Sequence, residues 1–158
     1  RSGLEDIELQ IKIGYCYEKL GQISLSDSLF LNLIEKHPNN ASLLNNYAYT
    51  ITERESLDVL DLRYALTISR KANIIEPNNA AFLDTLGWIY FKLKYFNNAL
   101  SALKKSIKYD SLNPVIWEHL ADVYIELGEN DKALECYKKA LNYDRENLYL
   151  LDKISRHE

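Results

Sequence analysis

The chain reads as an all-α protein, a right-handed α-solenoid of antiparallel helix pairs. Three observations predict this. A unit of 34 residues recurs along the chain with matching residue types at matching places. Small and large apolar residues occupy fixed positions within each unit. Asn, Gly and Pro fall at the ends of the helix-length stretches. A period of this length describes a unit that cannot bury its own apolar faces, so stacking must supply the core.

The register is clearest when Ala80–Asn113 is set above Pro114–Asn147. Leu86 then falls on Leu120, Gly87 on Ala121, Tyr90 on Tyr124, Ala99 on Ala133, Leu103 on Tyr137 and Ser106 on Ala140. Upstream, residues 7–40 place Ile13, Gly14, Tyr17, Ser26, Phe30, Leu33 and Pro38 in the same register. Residues 41–79 open with Tyr47, Ala48 and Ile51. About five extra residues around Arg54–Asp58 then precede Ala65, Ser69, Ala72 and Pro77. The expectation is one domain over 1–158 with repeats 7–40, 41–79, 80–113 and 114–147. The extended internal turn is 54–58, and 148–158 is a capping helix or the start of a further repeat.

Each unit reads as two helices joined by a tight turn. Asn40, Asn79 and Asn113 precede first helices, where the side chain accepts from a free N–H of the first turn. Gly21 and Gly128 end first helices, where a left-handed residue is needed. Asn97 and Asn130 (or Asp131) are expected to open second helices, and Pro38 and Pro77 to block their continuation. Gly14, Ala48, Gly87 and Ala121 share the eighth place, and Ser26, Ala65, Ala99 and Ala133 the twentieth. Small residues at such facing places let paired helices approach closely. Tyr17, Tyr90 and Tyr124 are expected in the core between successive helices. Leu148, Leu150, Leu151 and Ile154 are expected to cover the last unit's open side.

Composition bounds the function. With 158 residues and 47% apolar content the chain can fill a core. A net charge of −4 supplies no long-range attraction for a phosphate backbone, so no nucleic-acid partner is expected. No apolar run approaches the roughly 18–20 residues that span a bilayer, so direct membrane insertion is not expected either. The chain has no methionine and is read as a piece of a longer protein. Cys16 and Cys136 lie in the first and last units, too far apart for a disulfide, and are expected to be small buried residues.

The small–large pattern resembles the tetratricopeptide repeat family. The best stretch is Leu86-Gly87-x-x-Tyr90 with Ala99, repeated as Leu120-Ala121-x-x-Tyr124 with Ala133 and Ala140. The Trp common at the fourth place of that family appears only as Trp117, and Ser111 and Arg145 stand where the closing Pro would be. Leu44-Asn45-Asn46-Tyr47-Ala48-Tyr49, an extended turn, and then Leu83-Asp84-Thr85-Leu86-Gly87-Trp88 is similar to a bacterial branch of envelope and lipoprotein adaptors. Asn113–Asp122 is similar to that branch's following segment. The resemblance points to the cell envelope, whereas two unpaired thiols point to a reducing cytoplasm.

The resemblance implies a concave groove lined by first helices and read at the second, fifth, ninth and twelfth places. Candidate groove residues are an aromatic column, Tyr15, Tyr49 and Trp88, beside a polar and acidic column, Asn45, Asp84, Glu118 and Asp122. Aromatic side chains give contact area at low rotamer cost. The carboxylates would favour a protein or peptide partner of basic or apolar character. Trp88 and Tyr49 either face the groove or pack between adjacent first helices. Asp84 and Asn45 either face a partner or hydrogen-bond each other or a helix end. Capture of a chain-terminal carboxylate, known in the family, finds Ile11, Tyr15, Asn46, Ala81 and Thr85 at its places, and only Asn46 fits.

Nothing in the sequence points to catalysis, a metal or another cofactor. His37, His119 and His157 lack metal spacing. His119 with Glu118 and Asp122 reads as a solvated helix face, as do Lys104-Lys105-Ser106-Ile107-Lys108 and Lys138-Lys139. No nucleophile turn or phosphate loop is present. The leading expectation is therefore a protein-binding scaffold within a larger bacterial protein. The alternatives are a spacer or weak self-association segment joined through the solenoid ends, and an accessory part of an enzyme whose catalytic part lies elsewhere.

Overall fold

A computed structural model describes residues 2–157, with side chains from residue 7 onward. Among the described residues there are nine α-helices and no strand. They are α1 (Ser2–Lys19), α2 (Ile23–Lys36), α3 (Ala41–Thr52), α4 (Val59–Ile75), α5 (Ala80–Lys92), α6 (Phe96–Tyr109), α7 (Pro114–Glu126), α8 (Asn130–Tyr143) and α9 (Leu148–His157). They form two compact units, Arg1–Pro77 and Asn78–Glu158. In the first unit α1 pairs with α2 and α3 with α4, and α3 packs against both α1 and α2. In the second, α5 pairs with α6 and α7 with α8. There α7 packs against both α5 and α6, and α9 covers α8. Each unit is thus a stack of helix pairs.

Asn side chains start the first helices. Asn40 accepts from the Leu43 N–H, Asn79 from Phe82 and Asn113 from Val115. Asn147 does the same for Tyr149 and Leu150 at the start of α9. Each such cap contributes about 1 kcal/mol. The second helices differ from expectation. Neither Asn97 nor Asn130 caps its helix, and no side-chain cap is present at α2, α6 or α8.

A backbone motif instead closes the ends of the first helices. The N–H groups of Gln22, Tyr95 and Glu129 donate to the carbonyls of Tyr17, Tyr90 and Tyr124 at 2.8, 2.8 and 2.9 Å. The preceding residue is left-handed in all three turns: Gly21 at φ 71°, Lys94 at 63° and Gly128 at 75°. This double closure satisfies the helix-end carbonyls and reverses the chain within two residues. Lys94 holds the conformation without being glycine, against a steric cost of roughly 1–2 kcal/mol.

The small residues sit where helices touch. A Cβ on Gly14 would come within 2.6 Å of Phe30, and one on Gly87 within 2.6 Å of Leu103. Ser26 Oγ donates to the Gly14 carbonyl at 2.9 Å, tying α2 to α1. Phe30 stacks on Tyr47 at 4.6 Å, joining the first helix pair to the second. Tyr90 and Tyr124 are buried as expected, but Tyr17 is only half-buried. Cys136 is buried and its thiol is pushed up to about 11 by burial, whereas Cys16 is exposed, contrary to expectation. Of the capping residues, Leu150 and Ile154 are buried. Leu148 and Leu151 are exposed, because a helix covering one neighbour buries only one stripe. The Lys104-Lys105 and Lys138-Lys139 pairs are exposed, while Ser106 is buried and its hydroxyl donates to the Ala80 carbonyl at 2.7 Å.

The lengthened turn after α3 carries the least expected core feature. Arg54 reaches back to the end of α1, where its Nε lies 3.0 Å from Glu18. It also pairs with Asp27 of α2, which in turn accepts from the Tyr47 hydroxyl. The guanidinium is 7% exposed and the Glu18 side chain 5%. The extra residues therefore bring a buried cation to two carboxylates of the preceding helix pair.

Candidate functional site

In the first unit, Tyr15 and Tyr49 line one cleft between α1 and α3. The cleft measures about 410 Å³ and is completed by Ile11, Lys12, Cys16, Asn46 and Thr50. The geometry follows from the period, since adjacent first helices place residues 34 apart side by side. Tyr15 is 40% exposed and Tyr49 half-buried. Lys19 Nζ sits 5.1 Å from the Tyr15 ring centre, a cation on the ring face. Asn46 spends one amide N–H on the Ser42 carbonyl of its own helix. Asn45 is elsewhere: it is buried, and its side-chain oxygen has no hydrogen-bond partner.

In the second unit the candidates are engaged by neighbouring side chains. Asp84 Oδ1 lies 2.9 Å from His119 Nδ1. The His119 ring stacks on Trp88 at 4.1 Å, and Trp88 also stacks on Phe91 at 4.9 Å. Lys92 Nζ is 4.9 Å from the Trp88 ring centre. Trp88 therefore packs between adjacent first helices, and its indole N–H is buried without an acceptor. His119 is 8% exposed, so the solvated-face reading of this residue is overturned. Its position follows from the same period, one repeat plus one residue beyond Asp84. Burial opposes protonation of the ring, but the charge and hydrogen bond of Asp84 prevail, aided by Asp122 and Glu118, and its pKa is raised.

Glu118 and Asp122 are also occupied. Lys153 of α9 reaches both, at 3.0 Å from Glu118 and 2.7 Å from Asp122. Burial works against the ammonium, yet its hydrogen bonds to the two carboxylates hold its pKa up. The Tyr137 hydroxyl donates to Asp122 as well, and burial followed by that bond pushes the phenol upward. The acidic column of this unit is thus engaged from within. The sequence reading missed three residues here and in the first unit: His119, Lys153 and Arg54. Opposite charges one repeat plus one residue apart, such as Glu118 and Lys153, were the available signal.

Among the described residues no helix is long and apolar enough to cross a membrane. Among them no group of three or more His, Cys, Asp or Glu side chains could hold a metal ion.

The tetratricopeptide repeat family matches residues 8–40, 80–111 and 114–147. The chain is similar to the TPR repeat-containing protein PA4667 of Pseudomonas aeruginosa, 26% identical over 106 residues, which is 66% of this chain and 17% of that protein. It is also similar to the BBSome complex member BBS4 of Bos taurus, 29% identical over 111 residues, or 69% of this chain and 20% of that protein. The chain thus spans a fifth or less of the length of these relatives. Among solved structures it resembles TTC0263, a thermophilic TPR protein of Thermus thermophilus. That likeness has a TM-score of 0.83 at 21% identity, covering 99% of this chain and 83% of that one. It likewise resembles pilF of Pseudomonas aeruginosa, with a TM-score of 0.85 at 19% identity, covering 99% and 69%. These structures share the fold. Three repeat matches covering more than half of its residues place the chain in the tetratricopeptide repeat family.

Proposed function

We propose that this chain binds a peptide or a segment of a partner protein within a longer adaptor, and that the α1–α3 cleft takes an apolar anchor of that segment. The observation that carries this reading is the cleft itself. Two tyrosines at equivalent places of adjacent repeats, with Ile11, wall a volume of about 410 Å³. A cavity of that size accommodates one or two aliphatic or aromatic side chains. The tyrosine rings add contact area without much rotamer loss. Lys12 and Asn46 at the cleft supply polar contacts to an extended backbone. The basic preference expected of the acidic column is not supported, since Lys153 already holds Glu118 and Asp122.

The test is selection of peptides from a random display library on the intact chain. Selected sequences should share a Leu, Ile, Phe or Trp anchor. Tyr15→Ala and Tyr49→Ala should each weaken their binding about tenfold. Tyr15→Ala should change the melting temperature less than Tyr49→Ala, because Tyr15 is the more exposed of the two. Peptides whose binding ignores both substitutions would remove the cleft from the function.

A further inference from the structure

A cavity of about 360 Å³ is walled by α6, α7 and α8, wholly within the second unit. Both of its banks are helices of repeats already present, so the register supplies no further helix to fill it. Its floor is apolar: Leu120, Tyr124 and Cys136 are buried, with Ile107 and Trp117 half-buried beside them. The Trp117 indole N–H donates to the Ser111 carbonyl at 2.8 Å, which fixes that ring. The rim is charged. Lys104 of α6 and Lys132 and Lys139 of α8 stand around it, all exposed. Lys104 and Lys132 lie 5.7 and 5.6 Å from the Tyr124 ring centre, and Lys139 lies 4.7 Å from that of Trp117. Lys132 pairs with Glu129, and Lys139 with Glu135, which also lines the cavity. Among the described residues Lys104 forms no ion pair. Together α6 and α8 carry six lysines against Asp131 and Glu135, in a chain whose net charge is −4.

We infer that this cavity docks an acidic segment of a partner protein, through one aromatic or aliphatic side chain flanked by carboxylates. An apolar side chain alone would cover the floor but desolvate the Lys104 ammonium without a counter-charge. A carboxylate alone would leave the floor uncovered. The spacing of the lysines selects a chain over a small anion. Lys132 and Lys139 stand two turns apart on α8, roughly 10 Å at 1.5 Å per residue. A polyproline-II segment advances about 9 Å over three residues and brings side chains three apart to one side. Carboxylates at that spacing meet both lysines while the anchor between them turns to the floor, and Lys104 faces the segment from the other bank. The present pairs with Glu129 and Glu135 are exposed, so exchanging them costs little. Packing does not demand this rim. Leu120 and Tyr124 recur in the preceding repeat as Leu86 and Tyr90, but Lys132 and Glu135 stand where that repeat has Asn98 and Ser101. The site is distinct from the α1–α3 cleft and stands whether or not that cleft binds a peptide.

The probe is the end-blocked peptide Gly-Glu-Phe-Pro-Glu-Gly, whose glutamates are three residues apart. It is titrated into the isotopically labelled intact chain while amide and indole shifts are followed. Saturable shifts at Ile107, Trp117, Tyr124, Lys132, Cys136 and their neighbours are expected. Replacing both glutamates of the peptide by glutamine, or its phenylalanine by alanine, should weaken binding about tenfold. Lys104→Glu should do the same without altering the melting curve, because that side chain is exposed. Lys132→Gln should weaken binding by a smaller factor, and added salt should weaken it throughout. Absence of saturation at millimolar probe, or shifts located elsewhere, would overturn the inference. Equal binding of the glutamine peptide would overturn the acidic chemistry. Inorganic phosphate that gives the same shifts at the same concentration would assign the lysines to a free anion instead.

Discussion

Asp84 on α5 and His119 on α7 share a 2.9 Å hydrogen bond across 35 residues of chain, and it joins two helix pairs through a buried imidazole. The histidine's pKa is raised in the folded state, with Asp84 on the facing helix and Glu118 and Asp122 on its own. A raised folded value means that the stabilisation is fully present below the unfolded value of about 6.5 and is lost as pH rises through the folded value. Thermal melts should therefore decline from about pH 6 toward alkaline pH, and His119→Gln should flatten that decline. Equal slopes for both proteins would remove His119 as the source.

Replacing His119 by Ala should cost about 2 kcal/mol at neutral pH. It leaves Asp84 without its partner and strips one face from Trp88. Urea midpoints measure it. Asp84→Asn should recover part of the loss in the double variant, because an amide is less costly to leave unpaired than a carboxylate.

Arg54→Met removes the cation seen between Glu18 and Asp27. Breaking such a buried pair costs about 3–5 kcal/mol. The triple variant that also carries Glu18→Gln and Asp27→Asn should regain part of it. A single Arg54→Met whose urea midpoint matches the parent would show that water replaces the guanidinium.

Gly87→Ala forces a methyl to within 2.6 Å of the fully buried Leu103. Overpacking of that kind costs about 1–3 kcal/mol, which calorimetry reads as a fall of several degrees in melting temperature. The opposite outcome is expected at Lys94. Lys94→Gly relieves a left-handed residue and should stabilise the chain by roughly 0.5 kcal/mol, the steric relief exceeding the added unfolded-state entropy.

Much of the fold is legible in the chain because local chemistry writes it. Asn40, Asn79 and Asn113 announce helix starts by side-chain geometry alone, and Gly87 announces a close approach because nothing larger fits. The second helices are not legible in that way. Their starts follow turns closed by backbone bonds between Tyr17 and Gln22 or Tyr90 and Tyr95, and at Lys94 no glycine marks the turn. The candidate site divides along the same line. Tyr15 and Tyr49 meet because the period puts them on facing places. The acidic residues looked available because their partner, Lys153, stands outside the four repeats. His119 looked solvated because its neighbours in sequence are Glu118 and Asp122. Its neighbour in space is Trp88, on the first helix of the preceding repeat.

The Arg54 turn also constrains how the sequence can change. Shortening the turn to the length found in the other repeats would withdraw the guanidinium while Glu18 and Asp27 stay in place. Losing the carboxylates first would leave the cation with only the more distant and more exposed Asp61, 3.8 Å away. Either order passes through a destabilised intermediate, so the insertion and its two acids are expected to be inherited together or lost together. About five added residues and two distant carboxylates behave as a single heritable character.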